Sequence, residues 1–360
     1  MRPGVSIMPK FTGKRRKYQR LSQKNPEREA LLIKVAQQYC ERKSMADIGT
    51  DLGIKRQTVV RLIKQAKERE YIRDLRPIFS PPRAFTLAND LRSRYNLKDV
   101  LVVKSSDNFA LTRAAIASTA AEYLKDIVLP TLKGRTIRIG IAGGETMNQL
   151  VEKTPPIKAL FKDQDIQVFP LNILESTSHE QSASRLAFKL ESKLSDNSVA
   201  IRIYMRPAQP FKSLTLWRQE AALVRSLKTF EDCNHDWEQM NVALVGITLA
   251  EKQSEIGQQL AAAGATEELY SRALVLNEVL LNKNFEIIDD LFLGCQPSTL
   301  KYIAEDVKNR FSILVAGGRT RHGNESKAEC IDLALRQQIA NVLITDDRTA
   351  DEIKRLHGSD

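Results

Sequence analysis

The chain has 360 residues, 42% hydrophobic and 28% charged, with a formal net charge of +11. That length is enough for two or three domains and a sizeable core. No apolar run approaches the roughly 20 residues that span a bilayer, and Met1–Arg20 is basic without the apolar segment of a secretory signal. Cys40, Cys233, Cys295 and Cys330 form no CxxC pair, and His179, His235, His322 and His357 show no metal-ligand spacing. The pattern argues against a disulfide framework and a metal site and implies no cofactor. A reducing cytoplasm, with no membrane partner, is the expected location.

The charge is unevenly placed. Residues 1–76 hold 20 Lys+Arg against 8 Asp+Glu, and the remaining chain holds 35 against 36. A localised basic block is the electrostatic footprint of a polyphosphate partner. Residues 1–24 read as a basic tail. Residues 25–76 read as three short helices. Asn25 and Pro26 open the first, with Leu31, Leu32, Val35, Ala36 and Tyr39 on one face. Ser44, with Asp47 three residues on, resembles a capping box for the second, whose inner face carries Met45, Ile48 and Leu52. Gly53 supplies a left-handed turn. The third helix puts Val59, Leu62, Ile63 and Ala66 inward. Two helices joined by a glycine turn predict a helix-turn-helix, and "REYIRDLRPIF" predicts a β-wing after it.

The outward residues at the start of the third helix are Lys55, Arg56, Gln57, Thr58 and Arg61. Arginine pairs with guanine edges, glutamine with adenine, and threonine with thymine methyls or phosphate. A recognition helix meets the major groove at this end. Arg42, Lys43 and Ser44, just before the second helix, are placed to grip phosphates. The expected partner is double-stranded operator DNA. Pro77, Pro81 and Pro82 then predict a semi-rigid spacer over 77–84.

From about residue 85 to 360 the pattern changes. Apolar runs at 100–103, 137–144, 166–171, 242–247, 313–318 and 341–345 alternate with helical stretches. Continuous apolar runs fit strands covered on both faces, so an α/β, Rossmann-like domain with a mainly parallel sheet is predicted. Ligands of such sheets bind beyond the carboxyl ends of the strands. Two of the runs end in paired glycines and lead into helices: "GIAGGETMNQL" and "VAGGRTRHGNESK". Free helix N–H groups beside a close-approaching backbone suit an anion, and Arg319, Arg321 and Lys327 strengthen that reading. The second stretch is not a P-loop. Asn324-Glu325 stand where Lys-Ser or Lys-Thr is required, which excludes nucleotide hydrolysis.

From about residue 26 onward the chain resembles the SorC family of bacterial transcriptional regulators, a DeoR-like group also named for its sugar-binding domain. The resemblance rests on "DIGTDLGIKRQTVVRLIKQAKEREYI", "LRSRYNLKDVLVV", "IGIAGGETMNQL", "VALVGI" and "ILVAGG…K…ECIDLAL…NVLITDDRTADEI". Gly317, Gly318, Lys327, Thr345, Asp346, Thr349 and Ala350 follow the family's most specific pattern in order. The resemblance implies a domain shaped like sugar-phosphate isomerases, glucosamine-phosphate deaminases and CoA transferases, kept as a sensor. It implies a phosphorylated sugar or related metabolite as effector, assembly into a homodimer or homotetramer, and operator binding controlled by that effector.

Four departures fall in the implied pocket. Glu145 replaces an arginine in the Gly143-Gly144-Glu145-Thr146 turn. "PLNILEST" has lost a glycine. Asn277-Glu278 replaces Gly-Asp or Gly-Glu, and asparagine tolerates the left-handed turn. Eight residues separate Gly318 from Lys327, where the family has about two. The implied effector residues are therefore Gly143, Gly144, Glu145, Thr146, Glu278, Gly317, Gly318, Arg319, Arg321 and Lys327. The departures point to an effector other than the ordinary small sugar phosphate, or to a pocket out of use. Two other readings stay open: an active sugar-phosphate isomerase or deaminase, with Glu145, Glu278 or Asp346 as base, and an effector-independent DNA-binding oligomer. No catalytic residue is assigned.

Overall fold

Ser44 sets the start of a short helix, α1 (Met45–Asp51), because its hydroxyl oxygen accepts the Asp47 N–H at 3.2 Å. The Asp47 carboxylate accepts the Ser44 hydroxyl at 2.7 Å. Aspartate, one methylene shorter than glutamate, thus closes a variant of the capping box on the side chain. Gly53, with φ +62°, turns the chain into α2 (Arg56–Glu68). Helical positions at 31–32, 34–36 and 38–39 complete the packing. Leu32, Val35, Ala36, Ile48, Val59, Leu62, Ile63 and Ala66 form one buried cluster, with Leu31, Tyr39, Met45 and Leu52 against it. An antiparallel ribbon follows, β1 (Ile72–Arg73) with β2 (Arg76–Pro77).

In this computed structural model, the chain divides into two units, residues 1–79 and 80–360. The residues described are 31–32, 34–36, 38–39, 43–68, 72–73, 76–77, 82–162, 164–172, 181–195, 213–250, 255–266, 273–277, 279–282, 284, 286–288, 294–318 and 326–356. The basic tail 1–24 lies outside them.

The stretch read as a spacer is partly structured. Pro77 lies in β2, and Pro82 opens helix α3 (Pro82–Tyr95). A proline fits a first helical position because no N–H is needed there. Ala84, Leu87 and Leu91 of α3 are buried in the core of the second unit.

That core surrounds six parallel strands in the order β3-β11-β10-β6-β4-β5. They are β3 (Asp99–Val103), β4 (Ile137–Ile141), β5 (Ile166–Pro170), β6 (Val242–Val245), β10 (Phe311–Val315) and β11 (Val342–Asp346). Burial follows position. The central strands β6, β10 and β11 are buried at every residue, while the edge strands β3 and β5 alternate. The apolar runs predicted this, with one exception. The run 242–247 is not a single strand, because it breaks at Gly246. Ile247 starts β7 (Ile247–Leu249), which joins β8 (Leu274–Leu276) and β9 (Val279–Leu281) in a separate antiparallel sheet.

The helices between and after the strands include α4 (Phe109–Tyr123), α5 (Glu145–Lys153), α6 (Ala183–Leu194), α7 (Leu214–Arg225), α8 (Lys228–Glu238), α9 (Glu255–Ala262), α10 (Pro297–Glu305), α11 (Ala328–Arg336) and α12 (Asp347–Arg355). Helix α4 runs on through a wider turn, Leu124–Val128. Among the described residues, no helix is long and apolar enough to cross a membrane.

Candidate functional site

Both glycine turns leave the sheet at its carboxyl end, after β4 and β10, with β6 between those strands. Strand β4 leads outward to β5, whereas β6 leads the other way toward β10. The chain therefore reverses direction between β4 and β6, and a crevice opens at such a switch point.

The first turn uses each glycine differently. A Cβ on Gly143 would lie 2.9 Å from the Gln181 carbonyl oxygen. Gly144 has φ +102° and donates its N–H to that same oxygen at 2.8 Å. Glu145 then opens α5. Its carboxylate accepts hydrogen bonds from Gln149 Nε2 at 2.9 Å and Gln181 Nε2 at 2.6 Å. The Arg113 guanidinium stands 3.9 Å away. An acid in a first turn also meets the favourable end of the helix dipole. Thr146 follows, half-buried.

The second turn is closed by a different carboxylate. A Cβ on Gly317 would lie 2.5 Å from Asp346 Oδ2 and 2.9 Å from Thr345 Oγ1. The Gly318 N–H donates to Asp346 Oδ2 at 2.6 Å and to Thr349 Oγ1 at 2.9 Å. Asp346 also caps α12, its Oδ1 accepting the N–H groups of Arg348 and Thr349 at 3.2 and 3.1 Å. Its Oδ2 accepts the Thr349 hydroxyl at 2.7 Å. This buried acid is a clamp between two strand ends. It was a candidate base by position, yet both its oxygens are engaged. Lys327 is the residue before α11, and its N–H reaches the Gly318 carbonyl at 3.3 Å.

Phe109 and Arg113, at the start of α4, link the two turns. A Cβ on Gly318, whose φ is +70°, would lie 2.4 Å from the Phe109 ring. Arg113 sits over that ring, 4.4 Å from its centroid, and reaches Glu145. Nothing in the sequence pointed to Phe109, Arg113 or Gln181, because their roles come from contacts far along the chain. Glu278, Arg319 and Arg321 lie outside the described residues. So does Arg42.

In the first unit, Lys55, Arg56, Gln57 and Arg61 are exposed, and Thr58 is half-buried. Val60 is 43% exposed on the same helix, an apolar residue among polar ones that pattern reading passed over. Lys43 lies 2.7 Å from Asp51, and the Ser44 hydroxyl is engaged in the α1 cap. Among the described residues, no cluster of His, Cys, Asp or Glu could hold a metal ion.

These features can be set against known proteins. The family model described as "Putative sugar-binding domain" matches residues 81–275, more than half of the chain. The Sorbitol operon regulator of Klebsiella pneumoniae is 27% identical over 349 residues, covering 89% of this chain and 96% of that protein. The crystal structure of that full-length regulator, SorC, matches with a TM-score of 0.56 at 21% identity, covering 91% of this chain and 99% of that one. A transcriptional regulator from Streptococcus pneumoniae TIGR4 matches with a TM-score of 0.58 at 18% identity, over 76% of this chain and 98% of that one. The chain belongs to the SorC family of transcriptional regulators, which share this sugar-binding domain.

Proposed function

We propose that this protein is a sequence-specific DNA-binding transcriptional regulator whose grip on an operator is set by a small sugar-derived metabolite. The first unit acts as a winged helix-turn-helix, with α2 as the recognition helix and the β1–β2 ribbon as the wing. The second unit, continuing to residue 360, binds the effector and pairs the DNA modules in a homodimer or homotetramer. The protein works in the cytoplasm. The observation that carries this reading is the exposed Lys55, Arg56, Gln57 and Arg61 at one helix start, in the stretch that holds the chain's whole positive excess.

The effector acts only through its differential affinity for two arrangements of the subunits. A small rotation between subunits mismatches recognition helices that must meet half-sites one or more DNA turns apart. An enzymatic role fits less well. The two described acids named as candidate bases, Glu145 and Asp346, both spend their oxygens on internal donors. A regulator needs no catalytic base.

The test starts by selecting duplexes from a randomised pool with the full chain. Arg56→Ala should weaken binding to the selected duplex by about 1–3 kcal/mol and relax one base position. Wild-type affinity in that variant would remove Arg56 from the recognition set. Binding should also fall steeply with salt, as counterions return to the phosphates.

A further inference from the structure

Val60 stands among charged and polar residues on the exposed face of α2. It is 43% exposed, and among the described residues of the first unit it is the only large apolar side chain so open. The buried cluster takes Val59, Leu62 and Ile63 from this helix and leaves Val60 out.

A single exposed valine is ordinary on most surfaces. The setting of this one is not. Arg56 stands one helical turn before it and Lys64 one turn after, with Gln57 and Arg61 alongside, all of them exposed. A β-branched residue is also a weaker helix former than the arginine, glutamine or lysine around it. In plain solvent nothing offsets that cost. The valine points instead to something that covers this face.

Two occupants can be weighed. A second copy of the chain would set one ring of cations against another, and like charges repel. The major groove of DNA brings phosphates toward Arg56, Arg61 and Lys64. Among the edges on its floor it carries one apolar group, the C5 methyl of thymine. The cations around Val60 thus suit the walls of the groove, and the valine suits that methyl.

We infer that Val60 is a specificity-determining residue of the DNA-binding unit, its side chain packed on the C5 methyl of one thymine in the half-site it reads. This rests on the DNA-binding reading above and extends it to a residue and a base. Deoxyuridine differs from thymidine by that methyl alone and pairs with adenine in the same way, so it isolates the contact.

The experiment uses the full chain and a duplex that it selects from a randomised pool. Each thymidine of the selected half-site is replaced in turn by deoxyuridine, and affinity is read by fluorescence anisotropy. One replacement should weaken wild-type binding about three- to fivefold, the worth of one buried methyl group. The other replacements should have little effect. Val60→Ala should bind the thymidine duplex and that deoxyuridine duplex alike, with about the affinity of wild type for the latter. Alanine is the better helix former, so the melting temperature of the variant should hold. The inference is overturned if the selected half-site has no invariant thymine, or if wild type tolerates every deoxyuridine. It is also overturned if Val60→Ala keeps the methyl penalty while binding both duplexes more weakly, as it would if Val60 met a second copy. In each case the selected duplex still supports the DNA-binding reading. If the chain selects no duplex at all, that reading fails, and this inference with it.

Discussion

The two glycine turns look alike in sequence and differ in construction. After β4, Gly143 makes room for a carbonyl and Gly144 turns left-handed into open space, with nothing within 4 Å of where its Cβ would be. After β10, Gly317 makes room for the Asp346 carboxylate and Gly318 turns left-handed against Phe109. The same dipeptide thus leads into a helix headed by its own acid in one place and into a carboxylate clamp in the other. Paired glycines before a helix report a close approach, but not what approaches. The first turn leaves open space beside Gly144, and the second fastens β10 to β11.

The comparison breaks most visibly at Asp346. Asp346→Ala removes the α12 cap and leaves the Gly318 N–H without its carboxylate. Loss of the cap and of the carboxylate's bonds to the Gly318 N–H and the Thr349 hydroxyl together should cost about 2–4 kcal/mol, read by urea denaturation. A loss below 1 kcal/mol would show that the clamp is not structural. Gly318→Ala adds left-handed strain to a collision with the Phe109 ring, and should cost about 2–4 kcal/mol. Gly144→Ala adds the strain alone, about 1–2 kcal/mol. Phe109→Ala should restore part of the Gly318→Ala loss and none of the Gly144→Ala loss, and equal rescue of both would erase the distinction. Glu145→Gln keeps the shape, loses a half-exposed charge and turns one of two accepting oxygens into a donor, so stability should fall by about 1 kcal/mol.

At the amino end of the sheet the chemistry is different again. Lys98 lies over the Phe311 ring, 3.4 Å from its centroid, and burial pushes its ammonium down to about 8, against a partial upward pull from Asp306 and Asp99. Between pH 8 and 10.5 the unfolded chain binds a proton that the folded chain has released. This group's effect on stability is therefore least favourable below pH 8 and improves as pH rises to about 10.5. Lys98→Met should flatten that rise in a series of chemical melts, and an unchanged pH slope would remove Lys98 as its source.

Much of the scaffold was legible in the chain. The strands announced themselves as continuous apolar runs because helices cover both sheet faces, and Ser44, Gly53 and Asn277 announced their turns because few residues suit those backbones. The antiparallel β7–β9 sheet was not legible. Its strands are three residues each, and Gly246 hides the break inside one apolar run. The site was legible as glycines and acids but not as an arrangement. Asp346 was visible as an acid at a strand end, while its role depends on Gly318, far away in sequence. Phe109 and Arg113 carry no local signal, since a phenylalanine and an arginine at a helix start are unremarkable until the sheet brings both glycine turns to them.

The central claim is that one chain couples a sugar-derived metabolite to a DNA grip, and the direct test is duplex binding by the full protein with and without sugars and sugar phosphates. Fluorescence anisotropy on a duplex selected by the chain itself should show a reproducible change in affinity, about fivefold or more, saturating with sugar concentration. Tight, salt-sensitive binding that no sugar or sugar phosphate alters would contradict the account and leave an effector-independent DNA-binding oligomer in its place.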